Sequence, residues 1–133
     1  MAEDKKQITR IASAILAKKY ELSVVFASPK LSQQINKKYR GKNKPANVLS
    51  FPLSKTSGEI FLNKESIAKD AKKFELSVKD CVTYMLIHAL LHLKGLEHSA
   101  RMDEQERKFL KKFKIPLPVH LKINGKKKHS SRN

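Results

Sequence analysis

The feature that most constrains this chain is the segment from Val78 to Lys94. Val82, Met85, Leu86, Ile87, Leu90, Leu91 and Leu93 leave it without a wide polar face. Ser77 and Asp80 form the S-x-x-D pattern that caps a helix N-terminus, and Gly95 supplies a stop. Seventeen residues at ~1.5 Å each make a helix of about 25 Å. A helix that is apolar nearly all round must lie in the middle of a domain, so the remaining elements have to be arranged to cover it.

Those elements are short. Ile8, Ile11, Ile15 and Leu16 recur at helical spacing and predict a helix over roughly residues 7–19. Leu22–Ala27 is β-branched and brief, as a strand would be. Ser28-Pro29 starts a helix that carries Leu31, Ile35 and Tyr39 and ends at Gly41. Val48–Phe51 reads as a strand closed by Pro52, and Glu59–Leu62 as another, with a hairpin-sized connection between them. Asn63 caps a helix through Phe74. Met102, Glu106, Phe109, Leu110 and Phe113 mark a last helix. Three strands among helices predict an α+β or α/β sandwich, with the first strand, its helix and the second strand forming a parallel crossover. One domain is expected over residues 1–121, followed by a basic, disordered tail over 122–133.

Charge narrows the partners. Among 133 residues, 29 Lys and Arg face 12 Asp and Glu, a formal charge of +17. A basic excess of this size on a folded domain favours a polyanion, and nucleic acid over membrane, because no long apolar run is present. The single cysteine, Cys81, lies among apolar residues and reads as a small core side chain. No signal layout, membrane span or cysteine pair is evident, which points to the cytoplasm.

The chemistry is concentrated at the end of the long helix. Three of the five histidines fall within His88-Ala-Leu-Leu-His92-Leu-Lys-Gly95-Leu-Glu97-His98. Residues four apart share a helix face, so His88 and His92 can converge on one ion. Gly95 lets the chain turn back so that His98 adds a third nitrogen. Three neutral nitrogens with one position left open is the pattern of catalytic zinc rather than of closed structural zinc. His120 and His129 read as non-ligands. The spacing is that of metzincin proteases, but their general-base Glu is replaced here by Ala89, which argues against peptide hydrolysis.

The segment HALLHLKGLEH resembles the H-G-x-L-H-L-x-G-Y-D-H signature of the YbeY-type endoribonucleases, small bacterial ribosomal RNA maturation factors. YRGKNKPANVLSFP, ending at Pro52, resembles that family's YRGK(D/N)KPT(D/N)VLSFP, and Gly58-Glu59-Ile60 its G-D-I strand. The resemblance covers about residues 20–113. It implies an α+β domain with a small mixed sheet surrounded by helices. It also implies a zinc-dependent, single-strand-specific endoribonuclease acting in ribosomal RNA maturation, at the 16S rRNA 3′ end, and in ribosome quality control. Carried over by position, one Zn2+ per chain would be held by His88, His92 and His98, with ribosomal RNA and the ribosome as partners. Arg40 would be the catalytic cation facing substrate in the cleft. Read from spacing alone, Arg40 is a surface cation in the last turn of a helix, where positive charge is favoured anyway.

Glu97 is expected to hold a histidine ring or to move protons. Lys42 and Lys44 are expected to track the RNA backbone, and Asn47 and Ser50 either to touch RNA or to order the loop. The chain departs from the family pattern at Ala46, Ala89, Leu96 and Glu97. The competing expectation is a non-catalytic, zinc-containing ribosome-assembly factor that uses the same basic surface.

Overall fold

A computed structural model describes residues 2–122. In chain order the elements are α1 (Ala2–Ile15), β1 (Glu21–Phe26), α2 (Pro29–Arg40), β2 (Val48–Ser54), β3 (Ser57–Leu62), α3 (Lys64–Phe74), α4 (Val78–Leu93), α5 (Ala100–Lys112) and α6 (Val119–Lys122). The domain is α+β, with a three-stranded mixed sheet and six helices among the described residues. Most of the expected tail lies outside the described residues. Lys122, the first residue assigned to it, ends the short α6, an element that the proline-rich stretch after Pro116 did not advertise.

The sheet order is β1-β3-β2, with β3 parallel to β1 and antiparallel to β2. This corrects the expected crossover: the parallel partner of β1 is β3, and α2 together with β2 forms the connection. The hairpin is as expected, Leu49 lying opposite Phe61. β2 does not stop at Pro52 but runs on to Ser54, with a register shift between those residues. Proline is tolerated because β2 is an edge strand, where an N–H need not join the ladder.

The long apolar helix, α4, is central. It packs against α1, α3, α5, β2 and β3. Ile87, Leu90 and Leu91 are completely buried, together with Ile11, Ile60, Leu62, Ile67 and Leu110 from the surrounding elements. Each such side chain contributes roughly 1.5–3 kcal/mol on leaving water, which outweighs any single hydrogen bond at ~0.5–1.5 kcal/mol. Apolar burial therefore fixes where α4 sits, and caps fix where it begins and ends. The Ser77 hydroxyl accepts from the Asp80 N–H at 3.1 Å. On the sheet side, Gly58 is pressed against Leu93 and Tyr20: a Cβ built there would lie 3.0 Å from a Leu93 methyl and closer still to the Tyr20 hydroxyl.

Candidate metal centre

α4 presents His88 and His92 one turn apart, at its C-terminal end. The helix then closes with Gly95 N–H donating to the His92 carbonyl (2.9 Å) and Leu96 N–H to the Leu91 carbonyl (3.0 Å). Gly95 adopts φ 106°, a conformation that an L side chain rarely takes, so this turn requires glycine. The turn brings His98 back toward the helix just before Ser99 caps α5 by accepting from Met102 N–H. As a result the ring centroid of His98 is 5.1 Å from those of both His88 and His92, which are 4.6 Å apart. One nitrogen from each ring lies within 4.8 Å of the other two.

The hydrogen bonds fix which nitrogens are offered. His92 Nδ1 lies 3.0 Å from the Leu96 carbonyl, which can only accept, so Nδ1 carries the hydrogen and Nε2 keeps a lone pair. His88 Nδ1 lies 2.5 Å from Glu106 Oε2, again an acceptor, and the same reasoning leaves a lone pair on its Nε2. These two Nε2 atoms are 3.1 Å apart. Two facing lone pairs repel unless a proton or a metal ion lies between them. Two nitrogens bound tetrahedrally at 2.0–2.1 Å would be ~3.3 Å apart, so the observed separation suits a shared cation. Burial in the first place, then the neighbouring His88 and His98, hold the His92 pKa below the ordinary imidazole range, which keeps it in the neutral, ligating form. The residues present therefore fit a divalent metal held by three imidazole nitrogens.

The carboxylate in contact with a histidine of the cluster is Glu106. Glu97 is exposed, and its carbonyl accepts from the Ser99 hydroxyl. Glu106 is 2% exposed and belongs to α5. Its signal was in the sequence: an acid standing in the otherwise apolar stripe Met102–Glu106–Phe109–Leu110–Phe113. His120 packs instead on α6, its Nε2 3.2 Å from the Tyr84 hydroxyl; His129 lies outside the described residues.

Arg40 is exposed in the last turn of α2, and Gly41 ends that helix at φ 71°. Lys42 and Lys44 are exposed in the loop that follows. This loop is stitched to α2 by two buried polar side chains that the sequence reading missed. The Ser32 hydroxyl both accepts from Ala46 N–H and donates to the Ala46 carbonyl, each at 2.9 Å, and the Asn36 amide donates to the Lys44 carbonyl at 2.9 Å. Their signal was an i, i+4 polar pair beside the apolar positions of α2. Asn47 donates to Asp70 at 2.9 Å, so it anchors the loop to α3. Ser50 sits half-buried on β2, opposite Ile60.

The model of one family, endoribonuclease YbeY, matches residues 2–114. The chain belongs to the endoribonuclease YbeY family. Among curated members it is 37% identical to the endoribonuclease YbeY of Bartonella henselae, over 74% of this chain and 71% of that one. It is also 37% identical to the YbeY of Ehrlichia canis, over 73% and 70% respectively. The solution structure of TM1509 from Thermotoga maritima aligns with a TM-score of 0.60 at 25% identity, covering 80% of this chain and 75% of that one. Membership makes the chain a hydrolytic nuclease whose histidine cluster is consistent with metal binding.

Proposed function

We propose that this YbeY-family protein is a zinc-dependent, single-strand-specific endoribonuclease that matures ribosomal RNA at the 16S rRNA 3′ end and serves ribosome quality control in the cytoplasm. The observation that carries the zinc assignment is the pair of Nε2 lone pairs 3.1 Å apart, with both Nδ1 atoms already committed to Glu106 and the Leu96 carbonyl. Nitrogen donors alone, with one open position, favour zinc over magnesium or calcium, which seek oxygen. When bound, zinc supplies Lewis acidity toward a phosphodiester oxygen and lowers the pKa of coordinated water.

The chain's own residues do the rest. Glu106 holds the His88 ring in one tautomer and one orientation. Leu96 does the same for His92 through its carbonyl. Arg40 pairs with the phosphodiester, because a guanidinium matches two phosphate oxygens at once. Lys42 and Lys44 follow the flanking backbone from a loop whose shape Ser32, Asn36 and Asn47 maintain. This electrostatic binding carries little sequence preference and weakens steeply with salt.

The experiment is metal analysis of the purified protein paired with cleavage of single-stranded ribosomal RNA by the wild type, His92→Ala and Arg40→Ala. The expected result is about one zinc per chain, with cleavage abolished in His92→Ala. Arg40→Ala should retain zinc but cleave poorly. Zinc with no cleavage by any of the three proteins would favour the assembly-factor reading. No metal after reconstitution would overturn the assignment.

A further inference from the structure

A cavity among the described residues lies apart from the histidine cluster. It has a volume of about 670 Å³ and opens where α1, the end of β1 and the first turns of α3 and α4 meet. None of His88, His92, His98, Glu106 or Arg40 lines it. Its walls are mostly apolar or cationic, with Gln7 and Thr83 as neutral polar residues. Ile8, Val82, Leu86 and Ile115 form an aliphatic floor, and Phe26 and Val78 stand at the mouth, 43% and 45% exposed. Among the described residues, those two are among five large apolar side chains left exposed, and both belong to one cavity. Among the described residues of the lining, Lys6, Arg10, Lys64 and Lys79 supply four cations against one carboxylate, Asp80.

We propose that this groove docks an acidic peptide segment of a protein partner, with apolar side chains inserted into the floor and carboxylates set against the four cations. The volume lies within the range of ordinary ligand sites, roughly 300–1,000 Å³, and suits two or three apolar anchors on one face of a helix. Charge complementarity selects the occupant. Lys64 and Lys79 stand in the first turns of α3 and α4, where the helix dipole already makes the potential positive. A cation gains nothing locally there, whereas a partner's carboxylate gains from both the side chain and the helix end.

RNA fits less well. The aliphatic floor offers no donors or acceptors to base edges, and of the two neutral polar residues in the lining Thr83 already donates to the Lys79 carbonyl and Gln7 accepts from Arg10. One face of Phe26, the aromatic ring in the lining, is covered by the Lys64 ammonium 4.5 Å from its centroid, which removes that face as a stacking platform. The chain's own C-terminal segment is also a poor occupant, because residues 123–133 carry Lys126, Lys127, Lys128 and Arg132 and no acid.

The test uses the full-length protein and a fluorescein-labelled helical peptide of about four turns, with Leu at i, i+3, i+4 and i+7 and Glu elsewhere. Wild type should bind it, and Lys64→Glu/Lys79→Glu should bind about tenfold more weakly while cleaving RNA as wild type does. An oligoglutamate of equal charge should bind weakly, because it lacks the anchors. Backbone amide shifts on titration should cluster at Phe26, Val78 and Val82 and spare His92. Equal affinity of the charge-reversed variant, shifts centred on the histidines, or displacement of the peptide by single-stranded polyuridylate would each overturn the proposal. The last outcome would assign the groove to RNA.

Discussion

Replacing Glu106 by glutamine separates the charge of the His88 partner from its shape. Glutamine keeps the length and one acceptor oxygen, so the His88 Nδ1–H retains a partner at the 2.5 Å contact seen for Oε2. What is lost is the negative charge, which makes His88 a stronger donor to a cation. Removal of carboxylate partners of ligating histidines lowers metal affinity about 10- to 100-fold, or about 1.4–2.8 kcal/mol. The conserved shape places Glu106→Gln near the lower figure. Glu106→Ala leaves the ring free to turn as well, and belongs at the upper one. Zinc affinity is read by competition with a chromophoric chelator, and thermal unfolding is followed with and without metal. The affinity of Glu106→Gln should fall about tenfold, with a larger loss of melting temperature in the zinc-loaded than in the metal-free protein. Affinity within twofold of wild type would refute the reasoning. So would an equal loss of stability in both states, because Glu106 would then be a packing residue only.

Other outcomes follow from geometry already described. Gly58→Ala must push aside Leu93 and the Tyr20 hydroxyl, so it should destabilise by about 1–3 kcal/mol in urea melts. Tyr20→Phe removes a buried hydroxyl that has no hydrogen-bond partner, so it should be neutral or better alone and should recover part of the loss in the double variant; strictly additive losses would count against that contact. The Cys81 thiol is pushed up to about 11, first by burial and then by Asp70, so about one molecule in a thousand is thiolate at pH 8. It should resist aromatic disulfide reagents until urea unfolds the chain, and rapid labelling of native protein would contradict its burial. Because His92 titrates below 6.5 when folded, the unfolded chain takes up its proton first. The metal-free protein should therefore lose stability as pH falls below about 6.5, and lose none of this contribution as pH rises above it. A flat profile of melting temperature between pH 7 and 5 would refute the assignment.

The sequence disclosed the histidine cluster because that cluster is local. His88, His92 and His98 are set by one helical turn and one glycine, and both have unambiguous signatures. The same holds for α4, whose caps and apolar run leave no alternative. The crossover was misread because pairing between distant strands is decided by which faces α4 buries, and strand propensity does not carry that information. β2 continued past Pro52 because an edge position cancels the usual objection to proline, and edges are a property of the assembled sheet. Glu106 was missed as a histidine partner for a related reason: Glu97 lay nearer in sequence, but α5 folds back to bring residue 106 against His88. Ser32 and Asn36 were missed because a polar pair on a helix becomes structural only once a loop lies across it.

The contrast between the local histidine cluster and the non-local sheet has a kinetic consequence. Joining β1 to β3 pairs Glu21 with Ser57, so that strand contact must close a long stretch of chain and ranks among the slow steps of folding. The three imidazoles span only eleven residues and need one helix end and one tight turn. In a full-length chain folding from the denatured state, the end of α4 and its turn can bring the three imidazoles together before the long-range sheet pairing is complete. A cation captured at that stage would act as a nucleus, tying the last turn of α4 to the start of α5 and shortening the search that remains.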